Sequence, residues 1–133
     1  MNGERVFLTG ASGRIGRRVE RKLLERGYTV RSLVHRTRPQ DSPRPGLEIV
    51  QGDILDQEAL RRQVAGCRFV VHLAAAWDMF PPAVYEKEND QLFESVLRGT
   101  YNMLEASRAQ SDLACFLYAS TDATYATGPR KFA

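Results

Sequence analysis

The chain has 133 residues, enough for one domain with its own core and hardly more. Apolar residues make up 43% and charged residues 26%, a balance that excludes the disordered, collagen-like and disulfide-scaffold classes. Nineteen Lys and Arg against sixteen Asp and Glu leave a formal charge of +3, which suits an anionic ligand without calling for nucleic acid.

In chain order, Val6-Phe7-Leu8 running into Thr9-Gly10 predicts a buried strand that ends in a turn. Ile15, Val19 and Leu23 recur every four residues, with Leu24 beside the last, and predict one apolar stripe of a helix. Arg17, Arg18, Arg21 and Lys22 take its other faces, and Gly27 stops it. Residues 28–34 read as a second strand. Residues 37–46, with three prolines and a glycine, are a loop. A short third strand over 47–50 ends at Gly52-Asp53. Asp56 then caps a helix through Leu60 and Val64 that stops at Gly66. Residues 69–73 form a fourth strand, apolar on both faces. Pro81-Pro82 marks a loop, and a long helix follows from about residue 88 to 109, with Leu92, Val96, Met103, Leu104 and Ala106 as its apolar positions. Residues 114–118 are a fifth strand. Strands without polar interruption, alternating with helices, predict an α/β fold: a doubly wound parallel sheet of about five strands with helices on both faces. Ligands of such sheets bind at the carboxyl ends of the strands.

Cys67 and Cys115 lack metal-ligand spacing and form no CxxC pair, so they read as two buried thiols in a reducing compartment. MNGERVFLTG is no signal peptide, and no run approaches the ~18 apolar residues of a membrane helix. The expectation is a cytoplasmic protein with no membrane partner.

The residues after each strand carry the chemistry. Gly10, Gly13 and Gly16 have GxxGxxG spacing between a strand and a helix. Gly10 permits the tight turn, Gly13 lets backbone approach a pyrophosphate, and Gly16 lets helix and strand pack closely. Asp53 follows the third strand, where a carboxylate can accept from an adenine amino group. After the fourth strand, His72 orients backbone or fills space, and Ala74-Ala75-Ala76 leave room for a flat cofactor. Ser120, Thr121 and Thr124 bring hydroxyls to the end of the fifth strand, where they can bond a substrate oxygen or simply cap a turn.

TGASGRIG, GDILD, VVHLAA, RGTYNMLEA and YASTDATY, in that order, resemble successive blocks of the extended short-chain dehydrogenase/reductases, the NAD(P)-dependent epimerase/dehydratase family. The resemblance runs from residue 4 to about 126 and implies a cofactor-binding Rossmann fold. By resemblance, Arg14 and Ile15 flank the pyrophosphate, and Asp53 and Ile54 hold the adenine. Leu73, Ala74 and Ala75 line the nicotinamide side, and Thr121 matches the catalytic Ser/Thr that helps hold the substrate oxygen.

The chain departs from that family in three places. Val96 stands where the family has a backbone-linking Asn, and Ala126 replaces a Gly. The catalytic Tyr-x-x-x-Lys is missing: four residues beyond Tyr28, Tyr85, Tyr101, Tyr118 and Tyr125 stand Ser32, Asn89, Glu105, Asp122 and Pro129. The resemblance therefore implies an incomplete domain over 1–133, inactive by itself, whose substrate region belongs to a longer parent acting on a sugar nucleotide or small carbonyl substrate. The alternative is a non-catalytic NAD(P)-binding sensor or interaction module. Nucleic acid is not an expected partner, because the arginines of the first helix lack interleaved aromatics. Self-association through an uncovered sheet edge is expected.

NADP is the expected cofactor, with NAD as the alternative. NAD-binding members of such folds place an acid at the end of the second strand. Val34 takes that position here, and residues 26–40 hold no acid while Arg31, His35, Arg36 and Arg38 cluster there. Arg36, helped by His35 and Arg14, is the expected clamp on a 2′-phosphate.

Overall fold

Five parallel strands form one sheet in the order β3-β2-β1-β4-β5. The strands are β1 (Arg5–Thr9), β2 (Thr29–Val34), β3 (Leu47–Gln51), β4 (Phe69–His72) and β5 (Cys115–Tyr118). The helices are α1 (Arg14–Glu25), α2 (Gln57–Val64) and α3 (Gly99–Arg108), the last continuing from a π-helical turn over Glu94–Arg98. This is a computed structural model, and it describes residues 3–35, 44–75 and 93–120. Arg36, Arg38, Thr121, Tyr125 and Ala126, and the expected helix start at residues 88–92, lie outside the described residues.

The strand order follows from the connections. α1 returns the chain from β1 to β2 on one face of the sheet. The β3-to-β4 crossover through α2 then jumps past β1, so β1 and β4 begin a cleft between them at their carboxyl ends. Phe7, Leu33, Val70 and Phe116 point to the face covered by α2 and α3, where they pack with Leu60, Val64, Cys67, Met103 and Ala106. Leu8, Val30 and Val71 point to the α1 face. As expected, Asp56 caps α2: its side chain accepts from the Ala59 N–H at 2.9 Å. Gly27 ends α1 at φ +81°.

Three expectations are corrected. Ile15 does not join the buried stripe of α1 and is 68% exposed, because the first turn of the helix projects past the sheet end. Cys115 is exposed while Cys67 is buried, because β5 is an edge strand and the α1 face beside it carries no helix among the described residues. Arg31 is not part of a basic cluster at the strand end. It sits on the α2 face of β2, where its guanidinium donates to Glu48 Oε2 at 2.8 Å and to the Gln63 carbonyl at 2.6 Å, closing the end of α2.

α1 also buries an acid that its sequence pattern conceals. Glu20 is 2% exposed, accepts from Ser32 Oγ at 2.8 Å and pairs with Arg44 at 3.3 Å. The charge is tolerated because both partners reach it.

Candidate cofactor site

The turn after β1 is built from glycines that do different work. Gly10 has φ +73°, a left-handed conformation that side chains disfavour. A Cβ there would also lie 2.6 Å from the Leu73 carbonyl carbon and 2.7 Å from the Ala74 nitrogen. A Cβ on Gly16 would collide with the Gly10 carbonyl oxygen. Both glycines are thus required by the fold itself. Gly13 is not: its φ is −75° and its ψ 169°, and a Cβ would meet only the Gly10 oxygen at 3.3 Å. Glycine at position 13 leaves space in front of the first turn of α1. That turn has no capping side chain and no acid, so its N–H groups and positive dipole end are available to an anion.

The wall opposite is the turn after β4. Thr9 Oγ1 accepts from the Leu73 N–H at 3.2 Å and from the Ala74 N–H at 3.1 Å. Its partner at 2.6 Å is His72 Nδ1, and His72 Nε2 lies 3.1 Å from Thr100 Oγ1 on α3. His72 is fully buried against the rings of Phe116 and Tyr118, and this burial pushes its pKa down to about 4. It is a neutral residue inside the wall rather than a group facing the cleft.

The third wall comes from the ends of β2 and β3. Asp53 Oδ1 accepts from the Leu55 N–H at 2.9 Å, and Asp53 Oδ2 lies 3.7 Å from His35 Nε2. The two residues assigned separately to adenine and to phosphate therefore share one corner. Ile54 packs its side chain where Gly99 leaves room at the start of α3. Asn102, a buried residue that the sequence analysis did not single out, donates to the carbonyls of Ile54 at 3.0 Å and Leu55 at 3.2 Å. Its signal was an amide on the buried face of a helix, where only a hydrogen-bonded amide is stable.

The loop after β1 brings together Gly10, Gly13, Arg14, Ile15 and Gly16, with Arg14 and Ile15 both exposed at its rim. Leu73 and Ala74 lie against that loop, and Ala75 follows them, exposed. His35, Asp53 and Ile54 form the separate corner. Thr121 and Arg36 lie outside the described residues, whereas Ser120 is described and exposed at the end of β5. Among the described residues, no helix is long and apolar enough to cross a membrane.

Comparisons with known proteins agree with this fold. Residues 6–132 match the NAD dependent epimerase/dehydratase family. A 3-beta-hydroxysteroid dehydrogenase of Mycolicibacterium neoaurum is 34% identical over 125 residues, which cover 93% of this chain and 34% of that protein. An L-arabinose 1-dehydrogenase (NAD(P)(+)) of Haloferax volcanii is 36% identical over 118 residues, covering 89% of this chain and 41% of that protein. Among solved structures, a variant of the uronate dehydrogenase from Agrobacterium tumefaciens, complexed with NAD, superposes with a TM-score of 0.72 at 30% identity. That match covers 90% of this chain and 41% of the other. The chain thus spans well under half the length of these relatives.

Proposed function

The chain belongs to the NAD dependent epimerase/dehydratase family, and from that premise we propose that it is the dinucleotide-binding part of an oxidoreductase or epimerase acting on a sugar nucleotide or a small carbonyl compound. The observation that carries this reading is Gly13. The fold accounts for Gly10 and Gly16, but a side chain at position 13 would fit the backbone and would occupy the space a pyrophosphate needs. A bound nicotinamide accepts or delivers a hydride. The chain's own part is to hold it: the α1 N-terminus takes the pyrophosphate, with Arg14 and Ile15 at its rim. Asp53 and Ile54 take the adenine, and Leu73, Ala74 and Ala75 form the nicotinamide wall. Thr121 holds a substrate oxygen.

NADP is the proposed form of the cofactor. Asp53 keeps a carboxylate 3.7 Å from His35, so the reading rests on Arg36, the next residue in the sequence, as the clamp on a 2′-phosphate.

None of the five tyrosines has a lysine four residues on. As a second reading, the 133 residues act as a module that binds NAD(P) without turning it over. Both readings expect calorimetry to detect NADPH or NADH binding to the 133-residue chain, and both expect no dehydrogenase, reductase or epimerase turnover by it. A longer reading frame carrying Tyr-x-x-x-Lys supports the enzyme, and a chain that binds neither dinucleotide overturns both.

A further inference from the structure

The hydrogen bonds around Thr9 fix where its own proton and that of His72 sit. A threonine hydroxyl has one proton to donate and two lone pairs. Both acceptor positions of Thr9 Oγ1 are taken, by the N–H groups of Leu73 and Ala74. The 2.6 Å contact with His72 Nδ1 must then be the hydroxyl donating to an unprotonated nitrogen. A neutral imidazole carries its proton on the other nitrogen, so Nε2–H donates to Thr100 Oγ1. The result is one directed chain: Ala74 N–H to Thr9 Oγ1–H to His72 Nδ1, and His72 Nε2–H to Thr100. It joins the end of β1, the turn after β4 and α3.

We infer that His72 is the positioning residue of the cofactor cleft, its Nδ1 lone pair orienting the Thr9 hydroxyl so that both lone pairs face Leu73 and Ala74 and hold that turn against Gly10. Without an acceptor at Nδ1 the Thr9 hydroxyl would be free to rotate toward another acceptor, and that rotation would carry one of its lone pairs away from the N–H groups of the turn. The distance from Gly10 to Leu73 leaves no slack: the backbone of the turn lies where a single added carbon would meet it at 2.6 Å. The imidazole thus orients the hydroxyl that ties the Ala74 N–H to the end of β1, beside the ladder bond from the Leu73 N–H to the Thr9 carbonyl at 3.3 Å. Reading that turn as a cofactor wall rests on the function proposed above, but the proton assignment and the hold on the turn do not.

Two amides separate this role from simple filling of space. In His72→Asn the side-chain oxygen falls where Nδ1 stands and can accept from Thr9, but nothing reaches Thr100. In His72→Gln the longer amide reaches Thr100 and leaves Thr9 without its acceptor. The experiment reads the ring-nitrogen shifts of the 15N-histidine-labelled wild type, amide hydrogen exchange at Ala74, and NADPH and NADH affinity in all three proteins; Leu73, whose N–H also bonds the Thr9 carbonyl at 3.3 Å, serves as the internal reference. The expected results are an unprotonated Nδ1, near-wild-type exchange in His72→Asn, and exchange about tenfold faster in His72→Gln, the scale of one lost hydrogen bond. Dinucleotide affinity should follow the same order. A protonated Nδ1 in wild type overturns the inference even if neither variant folds. Equal exchange in the two variants overturns it as well. If no dinucleotide binds the wild type while the tautomer and exchange behave as stated, the proposed function fails and the role of His72 stands.

Discussion

Gly10 and Leu73 meet backbone to backbone. A Cβ built on Gly10 would sit 2.6 Å from the Leu73 carbonyl carbon, so the turns after β1 and β4 share one surface. Gly10→Ala must place a side chain at φ +73° as well as displace that surface. The left-handed backbone alone costs about 1–2 kcal/mol, and the collision adds to it. Urea unfolding should show a loss of at least that size. A variant as stable as wild type would mean that the two turns are not in register.

Gly13→Val should behave in the opposite way. Its backbone is ordinary, and its only close neighbour is the Gly10 oxygen at 3.3 Å, so circular dichroism should report a folded chain. Dinucleotide binding should disappear, because the isopropyl group fills the space in front of the α1 N-terminus. Calorimetry giving unchanged affinity would reduce the loop to a turn.

Stability should depend on His72 in a definite pH window. Its folded-state pKa of about 4 lies below the ordinary 6.5, so the unfolded chain takes up a proton there that the folded chain refuses. The contribution is fully present above pH 6.5 and is lost as pH falls toward 4. Between pH 7 and 5 this amounts to about 2 kcal/mol. His72→Asn should flatten the decline by that amount, whatever its stability at pH 7. Parallel pH profiles in urea melts would contradict the buried neutral ring.

NADPH should bind more tightly than NADH by about 1.5–3 kcal/mol, the range of a charge-assisted hydrogen bond. Arg36→Glu should remove most of the difference, and raised salt should narrow it, because attraction between unlike charges is screened. Equal affinity at low salt would show that the basic segment after β2 does not read the phosphate.

The 133-residue chain should self-associate. Among the described residues β5 is an edge strand with Leu117 and Tyr118 exposed, and Leu97, Tyr101 and Leu104 leave a further apolar stripe on the helix before it. A second copy can cover these surfaces. Sedimentation velocity should show dimers growing with concentration, and a single monomeric species up to high concentration would count against it.

Local rules made most of the fold legible in the sequence. The apolar runs at Val6–Leu8 and Phe69–Val71 are long enough and flanked clearly enough to be strands. Asp56 and Gly27 mark helix ends through bonds to their own neighbours, which need no tertiary partner. The glycine spacing after β1 belongs to the same class, since a turn, an approach and a packing contact are properties of a few adjacent residues.

Three-dimensional packing decided the rest. Glu20 reads as one more charge on a polar helix and becomes buried only because Ser32 and Arg44 converge on it. Arg31 looks like part of a basic cluster, yet the two-residue period of β2 turns it onto the opposite element's end. Ile15 fits the helical period but lies beyond the sheet that would cover it. His72 was legible as a residue that orients or fills. Which nitrogen carries its proton depends on Thr9, 63 residues away in sequence, and on two backbone N–H groups that only the pairing of β1 with β4 brings to that hydroxyl. Hydrogen-bond capacity is a local property of each group, but who uses it is settled by the assembled sheet.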